Sequence, residues 1–219
     1  GMTNLGYLNL AGNLLSDLDG LAGLSHLTEV DVSRNRLESL AGLSALPTLQ
    51  RFQLGHNQLQ TLEGLEAVSS LIEVRASHNR LRDLEALRGH RLLGWVELEY
   101  NQIESIQVLV ENLGVSRNTW VSLIGNPLSQ SAFCDDLPAL MARRVNLNFR
   151  EDTNLQTQRE QLQRYCGALD LDEDGDGLNN HVEGQNWLDP DDSDTDDDGR
   201  MDGDEVNAGT DGGDPTDFP

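Results

Sequence analysis

The 219-residue chain is long enough for one or two domains with a packed core, and its 38 acidic against 15 basic side chains leave a net charge of −23. Residues 170–219 hold 19 of those acids and one basic residue, Arg200, so most of the excess charge belongs to the C-terminal segment. Such a segment repels nucleic acid and anionic membrane and attracts cations, and no apolar run reaches the roughly 18 residues needed to cross a bilayer.

Gly1 before Met2 has the pattern of a residue left by tag removal. No signal peptide is visible, and the expectation is that a leader has been trimmed. All 15 basic residues are Arg, which reads as compositional bias rather than function.

From there the chain is periodic. Asn13, Asn35, Asn57, Asn79 and Asn101 recur every 22 residues. Three, five and eight positions before each stand apolar residues, as in Leu10, Leu8 and Leu5, or Leu54, Phe52 and Leu49. Apolar and polar residues alternate just ahead of each Asn, which predicts a short strand with one buried face. The Asn itself is expected inside, its amide bonded to backbone groups of adjacent units in a ladder. Too few residues remain before the next strand for a long helix. Apolar residues at every third position, such as Leu37, Leu40, Leu43 and Leu46, suit a tight 3₁₀-like return. One unit cannot bury its own face, so the units stack into a continuous core.

The motif LxLxxNxL, present as Leu8-Leu10-Asn13-Leu15 and in four successors, resembles the leucine-rich-repeat family in its 22-residue subclass, as in bacterial internalins and certain phosphatase-regulatory proteins. The resemblance covers about residues 3–130. It implies an α/β solenoid, a right-handed superhelix with a parallel concave sheet and short 3₁₀ or helical segments on the convex side. It also implies recognition of a partner, without naming one.

A sixth coil is stretched: Val121, Leu123 and Asn126 restore the frame, but Asn126 follows Asn101 by 25 residues. Repeats are therefore expected over residues 1–130, and residues 131–169 read as a C-terminal cap. Within the cap, Ser131 to Arg144 is expected to form a short helix with Pro138 near its start. Val145, Leu147 and Phe149 alternate like one more strand, and Thr153 to Tyr165 is polar-rich and helical in pattern. The N-terminus shows no comparable cover, which points to further repeats upstream. Cys134 and Cys166 are too far apart for a CxxC metal site. In an oxidising compartment they would form a disulfide; in the cytosol they would be two small buried apolar groups.

Side chains alternating with the buried strand residues line the concave face of such a solenoid. Tyr7, Glu29, Arg51, Glu73, Trp95 and Trp120 share one frame position, and opposite charges on neighbouring strands predict cross-strand pairing in the middle repeats. The C-terminal repeats differ. Trp95, Tyr100 and Trp120, beside Arg75 and Glu97, gather the residue types that dominate binding interfaces. Together with Tyr7 they form the candidate surface for a protein, or a surface glycan. The competing reading packs Trp120 beneath the cap. His56 and His78 fall on adjacent coils, but two His without a carboxylate are expected to be polar surface rather than a metal site.

The acidic segment carries two twelve-residue stretches, Asp172 to Glu183 and Asp194 to Glu205. Each places oxygens at positions 1, 3, 5, 9 and 12 and Gly at position 6, the pattern that wraps a loop around calcium. The candidate ligands are Asp172, Asp174, Asp176, the carbonyl of Leu178, Asn180 and Glu183 in the first loop. The second offers Asp194, Asp196, Asp198, the carbonyl of Arg200, Asp202 and Glu205. The flanks lack the paired helices of a true EF-hand. Asp-x-Asp-x-Asp-Gly followed by Glu205-Val206-Asn207-Ala208-Gly209-Thr210-Asp211 instead resembles the bacterial form of the thrombospondin type 3 repeat, over about residues 170–216. That resemblance implies extended, calcium-ordered loops in extracellular proteins and adds Asp189, Asp192, Asp211 and Asp214 as further candidate ligands. Trp187-Leu188 departs from it, where Gly-Thr is usual. Two or more calcium ions are expected.

No GxSxG, HExxH, Cys-His pair or phosphate loop is present, so no enzyme is expected. The reading is a secreted or cell-surface bacterial recognition module with a calcium-ordered extension. The alternative is a cytosolic leucine-rich-repeat scaffold or regulatory subunit.

Overall fold

The computed structural model describes residues 4–43, 46–149, 166, 172, 174–179, 182–183, 186, 188–189, 191–210 and 212–214. The chain divides into two compact units, Gly1–Asp152 and Thr153–Pro219. The expected helix over Thr153 to Tyr165 lies outside the described residues.

In the first unit, seven three-residue strands among the described residues build one parallel sheet in sequence order. They are β1 (Tyr7–Asn9), β2 (Glu29–Asp31), β3 (Arg51–Gln53), β4 (Glu73–Arg75), β5 (Trp95–Glu97), β6 (Trp120–Ser122) and β7 (Asn146–Asn148). Tyr7 pairs with Glu29, then Arg51, Glu73 and Trp95 follow in register, so the 22-residue period is the register of the sheet. The longer sixth coil keeps it: Trp95 pairs with Trp120 and Trp120 with Asn146. The extra residues leave by the convex side, where the helix α1 (Gln107–Glu111) replaces the short 3₁₀ turns of earlier coils at Asp19–Leu21, Leu65–Ala67 and Glu85–Leu87. The middle residue of each strand from β2 to β7 (Val30, Phe52, Val74, Val96, Val121, Leu147) is buried, as are Leu37, Leu40, Leu43 and Leu46 of the second return. The leucine-rich-repeat solenoid is therefore the fold.

The Asn ladder holds the coils together. Asn57 Nδ2 donates to the carbonyls of Val32 (3.1 Å) and Leu54 (2.9 Å), while its Oδ1 accepts from the Leu37 N–H at 3.0 Å. Asn35, Asn79, Asn101 and Asn126 repeat this, each bridging its own coil to the one before. Each amide satisfies backbone groups that the sharp turn would otherwise leave buried without partners. Asn13, in the first coil, is exposed and reaches only carbonyls of its own turn.

After the sixth coil the chain makes one wide π turn, Ala132–Asp136, and the helix α2 (Leu137–Ala142), with Pro138 in its first turn. Arg143 fixes this cover: its guanidinium donates to the carbonyls of Val110 (2.5 Å), Asn112 (2.7 Å) and Val115 at the end of α1. Both Cys134 and Cys166 are disulfide-bonded.

Candidate functional site

The concave face carries a chain of alternating charge. Arg51 stands between Glu29 (3.7 Å) and Glu73 (3.6 Å), and Arg75 between Glu73 (2.5 Å) and Glu97 (3.5 Å). These pairs are part-exposed and contribute little stability singly. They do hold long side chains in fixed positions. The chain ends on aromatics: the Arg75 guanidinium lies 5.3 Å from the Trp95 ring centre, and Trp95 stacks on Trp120 at 5.5 Å. Trp95 Nε1 donates to Glu97 Oε1 at 2.7 Å, which fixes the indole's orientation. Strand register explains the pair, since both tryptophans head their strands and adjacent strands lie about 4.8 Å apart. Both are half-buried.

Tyr7, Arg75, Trp95, Glu97, Tyr100 and Trp120 were expected to form one surface, and the structure sorts them into three places. Arg75, Trp95, Glu97 and Trp120 come together. Tyr7 is exposed on β1, four strands or about 19 Å from β5, where Asn9 Nδ2 donates to its hydroxyl at 3.2 Å. Tyr100 belongs to a different feature: His56, His78 and Tyr100 stack face to face, with centroids 4.3 and 4.5 Å apart and planes within 13° of parallel.

That ring column was not read from the sequence. Its cause is the residue before each ladder Asn, where Arg34, His56, His78 and Tyr100 all have φ between 52° and 57°. This left-handed conformation points successive side chains outward in the same direction, one above another. Gly12 and Gly125 occupy the same frame position, and they were the available signal. Burial, the neighbouring His78 and Arg34 hold the His56 imidazole below its ordinary pKa. The two His rings stack on each other at 4.3 Å.

In the second unit the two acidic loops have the same local construction. Gly177 N–H donates to Asp172 Oδ2 (3.3 Å) and Leu178 N–H to Asp176 Oδ1 (2.7 Å); Gly199 and Arg200 make the equivalent bonds to Asp194 (2.9 Å) and Asp198 (2.9 Å). Gly177 and Gly199 have φ of 94° and 95°, the turn that position 6 requires. Asp172, Asp174 and Asp176 bring a carboxylate oxygen each within 4.8 Å of one another, and Asp194, Asp196 and Asp198 do the same. Glu183 and Glu205 are fully buried and none of their four oxygens has a hydrogen-bond partner. One oxygen each of Asp174, Asp196 and Asp198 is likewise buried and unpartnered. Burial first, then Asp174, Asp176, Asp172 and Asp202, push the Glu183 carboxyl up to about 8. Burial and the loop-two aspartates raise Glu205 as well. Hard oxygen donors crowded together, several of them buried without a hydrogen bond, fit a hard divalent cation.

Several candidate ligands fall elsewhere. Asn180 and Asp211 lie outside the described residues. Asp189 and Asp192 are exposed and cap the turn leading into the second loop, Asp192 Oδ1 accepting from Asp194 N–H at 3.4 Å; Asp214 is exposed. The Arg200 guanidinium stands 3.9 Å from Glu205. Asp202, in the helix α3 (Asp202–Ala208), is fully buried, and both its oxygens accept from Thr195, at 2.9 Å from N–H and 2.6 Å from Oγ1.

Residues 3–46 match the family described as Leucine Rich repeats (2 copies). No curated protein sequence matches the chain. Among solved structures, internalin C2 of Listeria monocytogenes is similar over 65% of this chain and 59% of its own, with 24% identity and a TM-score of 0.55. A second internalin from that organism is 21% identical over 75% of this chain and 46% of its own, with a TM-score of 0.58. A leucine-rich-repeat protein of Leptospira interrogans is 24% identical over 67% of this chain and 38% of its own, with a TM-score of 0.59. The chain thus spans less than two thirds of each, and the likeness is one of fold.

Proposed function

We propose that this chain is an extracellular or cell-surface recognition module. Its concave sheet holds a protein partner, and its acidic segment folds around calcium. The observation that carries recognition is the Trp95–Trp120 pair, fixed by Arg75 and Glu97 at the end of a face whose other charges are already paired. A partner that covers this pair gains aromatic burial without the entropic cost of ordering loose side chains. The alternating Glu and Arg side chains then select for complementary charge rather than add affinity. We read the chain as a binding protein, not an enzyme.

The buried carboxylates of Glu183 and Glu205, which accept no hydrogen bond, support calcium binding. Asp172, Asp174, Asp176 and Glu183 would hold one ion, and Asp194, Asp196, Asp198 and Glu205 a second. Bound calcium supplies the positive charge that lets these acids ionise together. The disulfide agrees with an oxidising compartment, where calcium is millimolar.

Two measurements test the reading. Full-length protein titrated with calcium chloride in a calorimeter should bind at least two ions, and no uptake at millimolar calcium rejects the metal reading. A screen of the full chain against extracellular proteins and a glycan array should yield a protein ligand whose affinity falls at least about tenfold in Trp95→Ala with the fold intact. A ligand indifferent to both Trp95→Ala and Trp120→Ala moves the binding surface off the concave sheet. Free thiols in protein isolated without reductant would favour a cytosolic scaffold.

A further inference from the structure

We propose that Asp202, which the loop pattern assigns to the second calcium site, instead completes the first, so that the helix of one loop supplies a carboxylate to the ion held by the other. This rests on the calcium reading above.

The start of α3 is pressed onto the first loop. Gly203 N–H donates to Asp176 Oδ2 at 2.6 Å, and a Cβ on Gly203 would stand 2.3 Å from the Asp176 carbonyl oxygen. Only glycine allows that approach, and it brings the preceding residue to the first loop as well. Burial and the Thr195 hydrogen bonds act on the Asp202 carboxyl first, and the loop charges named after them, Asp176 and Asp174, belong to the first loop. Asp202 in turn acts on both closing carboxylates, Glu183 of the first site and Glu205 of the second, so the contact of Gly203 with Asp176 is what places it on the first.

Thr195 explains how the carboxylate is aimed. Its N–H and hydroxyl each take one lone pair of Asp202, at 2.9 and 2.6 Å. A carboxylate offers about four lone-pair sites, so two remain for an ion. Ligating carboxylates are commonly fixed by such outer hydrogen bonds. Thr195 is position 2 of the second loop. The second loop thereby orients a ligand of the first.

The test uses calorimetric calcium titration of the full chain in two backgrounds. In Asp198→Ala, which removes a second-loop ligand, adding Asp202→Asn should weaken the remaining site at least about tenfold. In Asp172→Ala, where the second site remains, Asp202→Asn should leave binding within about twofold. Asp204→Asn, an exposed acid on the same helix, controls for loss of charge and should change neither. A tenfold loss in the Asp172→Ala background, or none in the Asp198→Ala background, returns Asp202 to the second loop and overturns the proposal. Neither result touches the calcium reading, which fails only if the unsubstituted protein binds no calcium.

Discussion

The Tyr100 ring lies against Gly125: a Cβ built on Gly125 would stand 2.6 Å from Tyr100 Cδ1. The same ring stacks on His78, so the column that begins at His56 ends on a glycine.

Gly125→Ala should therefore destabilise the repeat unit, by about 1–3 kcal/mol, because it adds left-handed strain at φ 66° to a steric overlap. Combining it with Tyr100→Ala should recover the overlap part and leave roughly 1 kcal/mol of backbone strain. Urea midpoints of the four proteins measure this, and strictly additive losses would show that ring and glycine do not interact.

Asn57→Ala should cost about 2–3 kcal/mol, since it strands the Leu37 N–H inside the solenoid and leaves the Val32 and Leu54 carbonyls with only their bonds from Asn35 and Asn79. Asn13→Ala, at the same frame position but exposed, should cost under about 1 kcal/mol. Equal losses in thermal or urea unfolding would contradict the ladder as the source of stability.

Acid should weaken the repeat unit through His90. It is buried, neither ring nitrogen makes a well-formed hydrogen bond, and burial lowers its pKa further than the Leu65 and Ala86 carbonyls and Glu66 raise it. A depressed folded pKa means the stability is complete above about 6.5, the unfolded value, and is lost as pH falls below it. His90→Leu should flatten the urea midpoint between about pH 7 and pH 5 relative to the parent. A variant with the same acid slope would assign that slope to other groups.

Calcium uptake should release a proton from Glu183. Its carboxyl stands at about 8 without the ion, so at pH 7 it is mostly protonated and must ionise to ligate. Affinity at the first loop should rise as pH climbs toward 8 and level off above. In the ion-free protein the sign is opposite, because a raised folded pKa costs the folded segment stability as pH rises from about 4.5 through 8. Titrations in buffers of different ionisation enthalpy should find about one proton released per protein at pH 7 and almost none at pH 9. No proton release at pH 7 would place Glu183 away from the ion.

Much of this was legible in the residues alone. The 22-residue spacing of Asn13 to Asn101 became the strand register, and Val30, Phe52, Val74 and Val96 took one buried row, with Leu8 half-buried at its open end, because alternation in a strand leaves them no other face. The Asn ladder followed from the need to pair a buried amide. The glycines at 177 and 199 marked their turns because few other residues adopt φ near 95°.

What the tertiary structure decided is where side chains point once those frames are stacked. Spacing places Tyr100 near Trp95, yet a left-handed backbone turns its ring onto His78, while Trp95 turns along the sheet onto Trp120. Spacing likewise assigns Asp202 to its own loop, yet Gly203 lets the helix start close on Asp176. Periodicity fixes a Cβ and its face. The rotamer, and the neighbour it meets, depend on backbone dihedrals and on close approaches between segments that a repeat pattern does not encode.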